Sequence, residues 1–307
     1  MSETATLELT HVQLGQAAVT REDVVAREEP LEIRVEGRSV AVVMRTPGHD
    51  EELVAGFLVT EGVVTRARDI LEISQCPSVN NEYGNIVDVL LGGAVVNWES
   101  LTRHVFSASS CGLCGKTSIE SVFQKFTPLN PNECSVLSAR SSDEELASKS
   151  SENCALRTEH SSPSLFTPTI TPSLIASLPA KLRAAQETFS KTGGLHASAL
   201  FDLEGNLIVL REDVGRHNAL DKVLGYALQR NLLPLSQHIL LVSGRVSFEI
   251  MQKALAGGIP ILAAISAPSS LAVDFARDSG QTLIAFLRGE TMNVYAHPGR
   301  LLSPPQP

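Results

Sequence analysis

The sequence has no apolar run long enough to cross a membrane. Its apolar runs, such as the ILLV that starts at Ile239, fall far short of the roughly 20 residues a spanning helix needs. The first ten residues, MSETATLELT, contain no basic stretch followed by an apolar one, so no secretory leader is expected. Positive charge is also in short supply. The 25 lysines and arginines face 34 aspartates and glutamates, for a net charge of −9. Binding nucleic acid without regard to sequence requires a basic surface, so this balance argues against that role but leaves room for a local basic nucleotide pocket. Only five cysteines occur, Cys76, Cys111, Cys114, Cys134 and Cys154, and an odd, scattered set is no disulfide framework. Neither GxGxxG nor GxxxxGK[ST] is present, which removes the usual dinucleotide and P-loop fingerprints. A cytoplasmic globular protein with no membrane or nucleic-acid partner is expected.

The organisation divides into three parts. Residues 1–127 form an N-terminal portion. EIRVEGRSVAVVM, from Glu32, predicts a hairpin turning at Glu36-Gly37-Arg38. Asp50 is placed to cap a helix that carries Leu53, Val54, Phe57 and Leu58 on one face and stops at Gly62. IVDVLL, from Ile86, predicts a strand. Residues 128–170 are rich in serine, charge and proline and poor in apolar residues, which predicts a flexible insertion; Cys134 and Cys154 are incidental to it. Residues 171–307 form the denser portion. LHASALFDLEGNLIVL predicts a hairpin turning at Glu204-Gly205-Asn206, followed by a helix from about Arg216 to Gln229. HILLVSG, PILAAIS and TLIAFLRG are short apolar strands separated by helices that start near Ser247 and Ser269. Such alternation predicts an α/β fold with a mixed, mostly parallel sheet covered on both faces.

The most reactive stretch is SASSCGLCGKTSIE at 107–120, with Cys111 and Cys114 three apart and each followed by glycine. Structural zinc needs four ligands, and no second CxxC or paired histidines accompany this pair, so no structural metal is expected. A zinc deaminase needs H-x-E followed by P-C-x-x-C. Here His196-Ala197-Ser198 has serine where the glutamate belongs, and the cysteines precede the histidine. A reactive thiol pair fits better. The glycines allow close backbone approach, Lys116 adds a cation, and a helix is expected to begin just after Cys114. Both effects lower a thiol's pKa. A pair of inert buried cysteines is the plainer alternative.

Several longer blocks carry a resemblance. CGLCGK, TGGLHASALF at 192–201, REDVGRHNALDKVLG at 211–225, SGRVSFEIMQKA at 243–254 and ISAPSSLAVDFARDSGQTLIAFLRGETMNVY at 265–295 resemble the FdhD family of formate dehydrogenase accessory sulfurtransferases, in order and approximate spacing. The stretch from 128 to 170 departs from that pattern. The resemblance implies a three-layer scaffold similar to the cytidine deaminases. It implies a carrier that takes persulfide sulfur from a cysteine desulfurase and passes it to the molybdenum bis(molybdopterin guanine dinucleotide) cofactor of formate dehydrogenase. A homodimer and a guanine nucleotide as mimic of one end of the cofactor are part of the same expectation. By motif, Cys111 is the persulfide-bearing residue, Cys114 its partner, and Phe286, Leu287, Arg288, Gly289, Glu290 and Thr291 are cofactor contacts. A cofactor-binding chaperone that transfers no sulfur is the alternative.

The residues themselves add a second argument. In open α/β sheets ligands bind beyond the carboxyl ends of the strands. Those ends are Ser243-Gly244-Arg245, Ser266-Ala267-Pro268-Ser269 and Arg288-Gly289. Two arginines and two serine-led helix starts suit phosphate, although ordinary strand–helix turns with salt-bridged arginines read the same way. REDVGRHNALDK crowds Arg211, Glu212, Asp213, Arg216, His217, Asn218 and Asp221 around one turn. It is either a site wall with His217 facing phosphate, or a polar network in which Asp213 caps the helix. His49, His104 and His238 read as structural, and His196 lies near the pocket.

Overall fold

The computed structural model describes residues 2–76, 85–93 and 169–301, with 96, 98, 101 and 129 as isolated positions. Cys111, Cys114 and nearly all of 128–170 lie outside these residues.

The N-terminal portion opens with an antiparallel pair, β1 (Thr4–His11) and β2 (Val19–Ala26), in a sheet of its own. A four-stranded sheet follows, formed by β3 (Glu29–Val35), β4 (Arg38–Arg45), β5 (Ile70–Gln75) and β6 (Ile86–Leu91) in the order β4-β3-β6-β5. The expected hairpin joins β3 to β4. Its turn places Glu36 at φ 51° and Gly37 at φ 74°, the left-handed pair a two-residue turn requires. Glu36 tolerates this because both its ends are held by β6. Its amide donates to the Val89 carbonyl at 2.9 Å, and its carboxylate accepts from the Leu91 amide at 2.7 Å.

Helix α1 (Asp50–Thr60) is present, but Asp50 does not cap it. The N-cap is His49, at φ 55° with no side-chain cap bond. The Asp50 carboxylate is taken instead by the fully buried Arg45, through Nε and Nη2 at 2.9 Å each. An isolated guanidinium in the interior is costly, so the fork claims the nearest carboxylate. Every residue from Glu52 to Thr60 is buried, not one face alone, because α1 is covered on two sides.

The C-terminal portion is built on a six-stranded sheet of order β12-β11-β10-β9-β7-β8. Its strands are β7 (His196–Asp202), β8 (Leu207–Asp213), β9 (His238–Val242), β10 (Ile261–Ala264), β11 (Thr282–Arg288) and β12 (Thr291–Ala296). Only β9-β10 and β10-β11 pair in parallel; the other three neighbour pairs are antiparallel. The sheet is mixed, and the parallel majority holds for strand direction but not for pairing. The cause is the β7–β8 hairpin, which inserts β7 head-down beside β9.

Helix α2 (Pro172–Ala185) buries Ile175, Leu178 and Leu182 against one face of this sheet, and the short α3 (Glu187–Thr192) follows it. Helices α4 (Arg216–Gln229), α5 (Phe248–Ala256) and α6 (Ser270–Ser279) cover the other face with Leu220, Val223, Leu224, Ile250, Met251 and Ala276 among their buried residues. The three layers are thus helix, sheet and helix.

The two portions meet through α1 and α4. A Cβ built on Gly225 would overlap the Glu52 carbonyl and lie 2.9 Å from its Cα; one built on Gly56 would overlap the Asp221 carbonyl and lie 2.9 Å from that Cα. Two glycines therefore let the helix backbones touch reciprocally. Leu228 of α4 is counted in the core of the small sheet. At the borders of the Ser/Pro-rich segment, the Leu129 amide donates to Ser279 and the Ile170 amide to Arg300, each at 2.9 Å.

Candidate functional site at the carboxyl edge of the large sheet

Strands β8, β9, β10 and β11 all end at one edge, where β7 begins. This edge gathers the predicted residues. Ser243 locks the start of β7 to the end of β9. Its amide donates to the Ala197 carbonyl at 2.9 Å, and its hydroxyl accepts from the Ala197 amide at 2.8 Å. Gly244 follows, and a Cβ there would lie 3.1 Å from His196 Nδ1, so the glycine lets the ring rest against the loop backbone.

The loops after β9 and β10 are joined to each other. The Val246 amide donates to Ala267 at 3.1 Å and the Ser269 amide to Val246 at 2.9 Å, a parallel bridge that continues the sheet past its formal end. Ser269 caps α6, accepting from the Ala272 amide at 3.2 Å. Ser247 sits at the N-cap of α5 but makes no cap bond; its hydroxyl donates to Glu249 Oε2 at 2.9 Å. The Ser247 hydroxyl is therefore turned to Glu249 and does not cap α5.

The Phe286–Thr291 run is split by its geometry. Phe286 has φ 54°, a kink that coincides with a register shift between β11 and β12, and its amide donates to Ser266 at 3.2 Å. Leu287, 2% exposed, packs its side chain into the core on the α2 side, so that any contact it makes at the edge is through its backbone. Arg288, Gly289, Glu290 and Thr291 are exposed on the β11–β12 turn. There the Arg288 guanidinium lies 5.7 Å from the Phe286 ring centroid, and Gly289, at φ 57°, has open space on its Cβ side. From β9 to β11 the edge spans two strand spacings, roughly 10 Å, a length suited to a pyrophosphate with its nucleoside.

The crowded turn of REDVGRHNALDK resolves into two groups. Most of it is structural. Arg211 forks onto Glu52 at 2.5 and 2.8 Å. Glu212 accepts from the Thr188 and Phe189 amides at the start of α3. Asp213, wholly buried, accepts from Lys222 Nζ at 2.7 Å, the Thr46 amide at 3.1 Å, the Gly215 amide at 2.8 Å and Asn218 Nδ2 at 3.0 Å. It fixes the turn, but the N-cap itself is Gly215. Asp221 is held by Lys253 at 2.8 Å and Thr60 at 3.2 Å. Arg216 and His217 are the members that turn toward the edge.

There His217 Nε2 lies 3.4 Å from Ser247 Oγ and 3.3 Å from Glu249 Oε2. Burial opposes ionisation of Glu249, but the hydrogen bonds from His217 and Ser247 and the charges of His217 and Arg216 outweigh it and hold its carboxyl below the usual range. His196 is also shifted downward. Burial first, then the nearby charges of Arg216, His217 and Arg245, outweigh the opposing pull of Asp213, lower its pKa and favour the neutral ring. The reasoning from sequence missed Glu249. The Ser-Phe-Glu that opens α5 was its only signal, since two residues apart at a helix start can share one hydrogen bond.

The chain as a whole matches known proteins. The model of the FdhD/NarQ family matches residues 26–160 and 139–302, two ranges that overlap within the Ser/Pro-rich segment. A protein named sulfur carrier protein FdhD from Streptomyces avermitilis is 48% identical over 290 residues, covering 93% of this chain and 91% of its own. A protein of the same name from Mycolicibacterium paratuberculosis is 44% identical over 311 residues, covering 98% and 100%. A crystal structure described as that of a formate dehydrogenase accessory protein from Desulfotalea psychrophila shares the fold with a TM-score of 0.70 at 24% identity, over 98% of this chain and 100% of that one. With family-model matches that together span residues 26–302 and relatives this similar along nearly its full length, the chain belongs to the FdhD/NarQ family.

Proposed function

We propose that the protein is a sulfur carrier. It takes persulfide sulfur from a cysteine desulfurase on Cys111, with Cys114 as partner thiol, and transfers it to the molybdenum bis(molybdopterin guanine dinucleotide) cofactor destined for formate dehydrogenase. The observation that carries this reading is the 48% identity, over nine tenths of the chain, to a protein named as a sulfur carrier. The accessory-protein description of the structural neighbour supports formate dehydrogenase as the client. The helix–sheet–helix layering is compatible with a scaffold of the cytidine deaminase type on which sulfur chemistry replaces hydrolysis.

The carboxyl edge is the place for the cofactor, which is cargo here. Its phosphates need cations and free amides in one crevice. Arg245 and Arg288 supply the cations, and α5 and α6 begin at the same edge, after β9 and β10. Gly244 lets the His196 ring lie against the loop backbone, and Gly289 gives the β11–β12 turn clear space. The net charge of −9 makes such a local positive site necessary, because the remaining surface repels a phosphate ligand.

Intact-mass analysis after incubation with a cysteine desulfurase and cysteine tests the carrier role. The expected result is a reductant-sensitive gain of one or more sulfur atoms, absent in Cys111→Ala. Wild-type sulfur loading and formate dehydrogenase activation by Cys111→Ala would overturn the assignment.

A further inference from the structure

The first two strands stand apart from the rest of the protein. β1 and β2 form a sheet of their own and end at residue 26, where the family match begins. This arm is tied down at its base. The Thr188 hydroxyl donates to the Glu3 carboxylate, and the Arg27 amide donates to the Glu3 carbonyl at 2.9 Å. Toward its tip it is bare: Leu7 is 54% exposed, Val12 67% and Leu14 97%. A two-stranded hairpin is marginal in water by itself and gains from further strands.

The two outer edges of the arm are not alike. β2 carries Arg21, Glu22 and Asp23 in its middle, the charged protection that edge strands commonly use. β1, TATLELTH, carries a single carboxylate, Glu8, and among the described residues no strand pairs with its outer edge. The base fixes the phase of its backbone. Glu3 and Arg27 are a hydrogen-bonded pair. Alternation along the ladder then turns the backbone groups of Ala5, Leu7, Leu9 and His11 toward β2, and those of Thr4, Thr6, Glu8 and Thr10 outward.

We infer that β1 is a self-association edge: it pairs antiparallel with β1 of a second copy about a two-fold axis at Leu7, joining the two arms into one sheet. Bonding across the axis needs outward residues to face outward residues, which puts the axis on a residue and not between two. Near the middle of the strand the choices are Thr6, Leu7 and Glu8. An axis at Glu8 sets two carboxylates directly opposite each other, which is unfavourable. An axis at Thr6 sets Leu9 opposite Glu3, whose carboxylate is already held by Thr188. An axis at Leu7 sets leucine against leucine, Ala5 against Leu9, Thr4 against Thr10 and Thr6 against Glu8. No like charges are opposed, and every outward residue of β1 finds an outward partner. The same register carries each tip past the start of the other copy's β1. The exposed Val12 and Leu14 then come against the other copy's body and add the area that two strands by themselves lack.

Sedimentation velocity of the full chain over a range of concentrations tests the inference, in the unaltered protein, Leu7→Lys and Thr6→Pro. The unaltered protein is expected to form a dimer that dissociates on dilution. Leu7→Lys opposes two cations across the axis. Thr6→Pro removes an outward amide and leaves the β1–β2 bonds in place. Each should weaken dimerisation by at least roughly tenfold with the melting temperature retained. A cysteine scan reads the register. In Leu7→Cys the axis brings the two Cα atoms to about 4.5 Å, within reach of a disulfide. Oxidation with copper phenanthroline should therefore link two chains through residue 7, as mapped by mass spectrometry, and link Thr6→Cys and Glu8→Cys far less through their new cysteines. A protein that stays monomeric at every concentration overturns the inference, as does a dimer that both substitutions leave unchanged. Linkage through residue 6 or 8 in preference to 7 overturns it too, and this scan stands even where Leu7→Lys or Thr6→Pro unfolds the arm.

Discussion

Replacing Gly225 with alanine sets two effects of opposite sign against each other. Taken alone, alanine in a helix interior is better than glycine by about 1 kcal/mol, so a view confined to α4 expects a stabilised protein. The packing says otherwise. The added Cβ would overlap the Glu52 carbonyl of α1 and lie 2.6 Å from its carbon. The obstacle is helix backbone, which has no rotamer to change. The carbonyl itself is anchored, because the Glu52 side chain is forked by Arg211. Relief requires the two helices to move apart, and that loosens contacts on both sides of α1. Overpacking of this kind costs about 3 kcal/mol at the upper end of its usual range. Subtracting the propensity gain leaves a net loss of about 2 kcal/mol, or roughly 5 °C in melting temperature. Gly56→Ala should behave alike, because its Cβ would meet Asp221 in the mirror-image contact. The double variant should cost less than the sum, since separating the helices once accommodates both methyls. Thermal unfolding followed by circular dichroism measures all three. A melting temperature that is unchanged or raised in Gly225→Ala would refute the reasoning, as would strict additivity in the double variant.

Arg245→Ala and Arg288→Ala should each weaken GDP binding roughly ten- to hundredfold, the cost of one charge-assisted phosphate contact; equal affinity in both variants places the nucleotide elsewhere. Acid should erode stability through Glu29 among others. Burial raises its pKa, but hydrogen bonds from Asn85, Arg45 and Arg27 bring it below 4.5 overall, so its contribution is complete above that value and disappears as pH falls through the lowered one. In urea titrations, Glu29→Gln should therefore show a shallower decline of stability below about pH 4.5 than the unaltered protein, and parallel declines would count against this. Replacing residues 133–165 with about ten glycines and serines should preserve sulfur loading, since closure entropy varies slowly with loop length. A folded but inactive variant would give that segment a role.

The elements legible in the sequence were those whose residues meet a simple environment. Arg216–Gln229 was readable as a helix because Leu220, Val223, Leu224, Ala227 and Leu228 recur at helical spacing and all are buried. The β7–β8 and β3–β4 hairpins announced themselves through glycine at a turn between apolar runs. The β1–β2 pair was missed although Ala5, Leu7 and Leu9 alternate with polar residues in β1, because β2 breaks the alternation and neither strand has a buried residue that ties it to a core. Asp50 misled for a different reason. It has the right type and position for a cap, but a buried arginine five residues earlier in the chain makes the stronger claim. Of the candidate site, Gly244, Arg245 and Ser269 are picked out by strand ends, and His217 by the crowding of polar residues around one turn. The division of Phe286–Thr291, with Leu287 buried and its neighbours exposed, depends on a kink at Phe286 that no local pattern encodes. Glu249 was out of reach because its partner His217 lies 32 positions away, on another helix.

The bridge between the loops after β9 and β10 bears on how quickly a ligand is captured. Val246, Ala267 and Ser269 are hydrogen-bonded to one another, and Phe286 is tied to Ser266 beside them. A ligand arriving at this edge meets backbone that has already given up its freedom. Ordering of this rim then adds nothing to the entropy of association, and encounter need not wait for a closing motion. Amide hydrogen exchange at Val246 and Ser269 should accordingly be slow in the free protein and change little when nucleotide is added. Stopped-flow binding should be a single phase whose observed rate rises linearly with nucleotide concentration. A rate that saturates would mean that the rim opens first, and that these hydrogen bonds break before they hold anything.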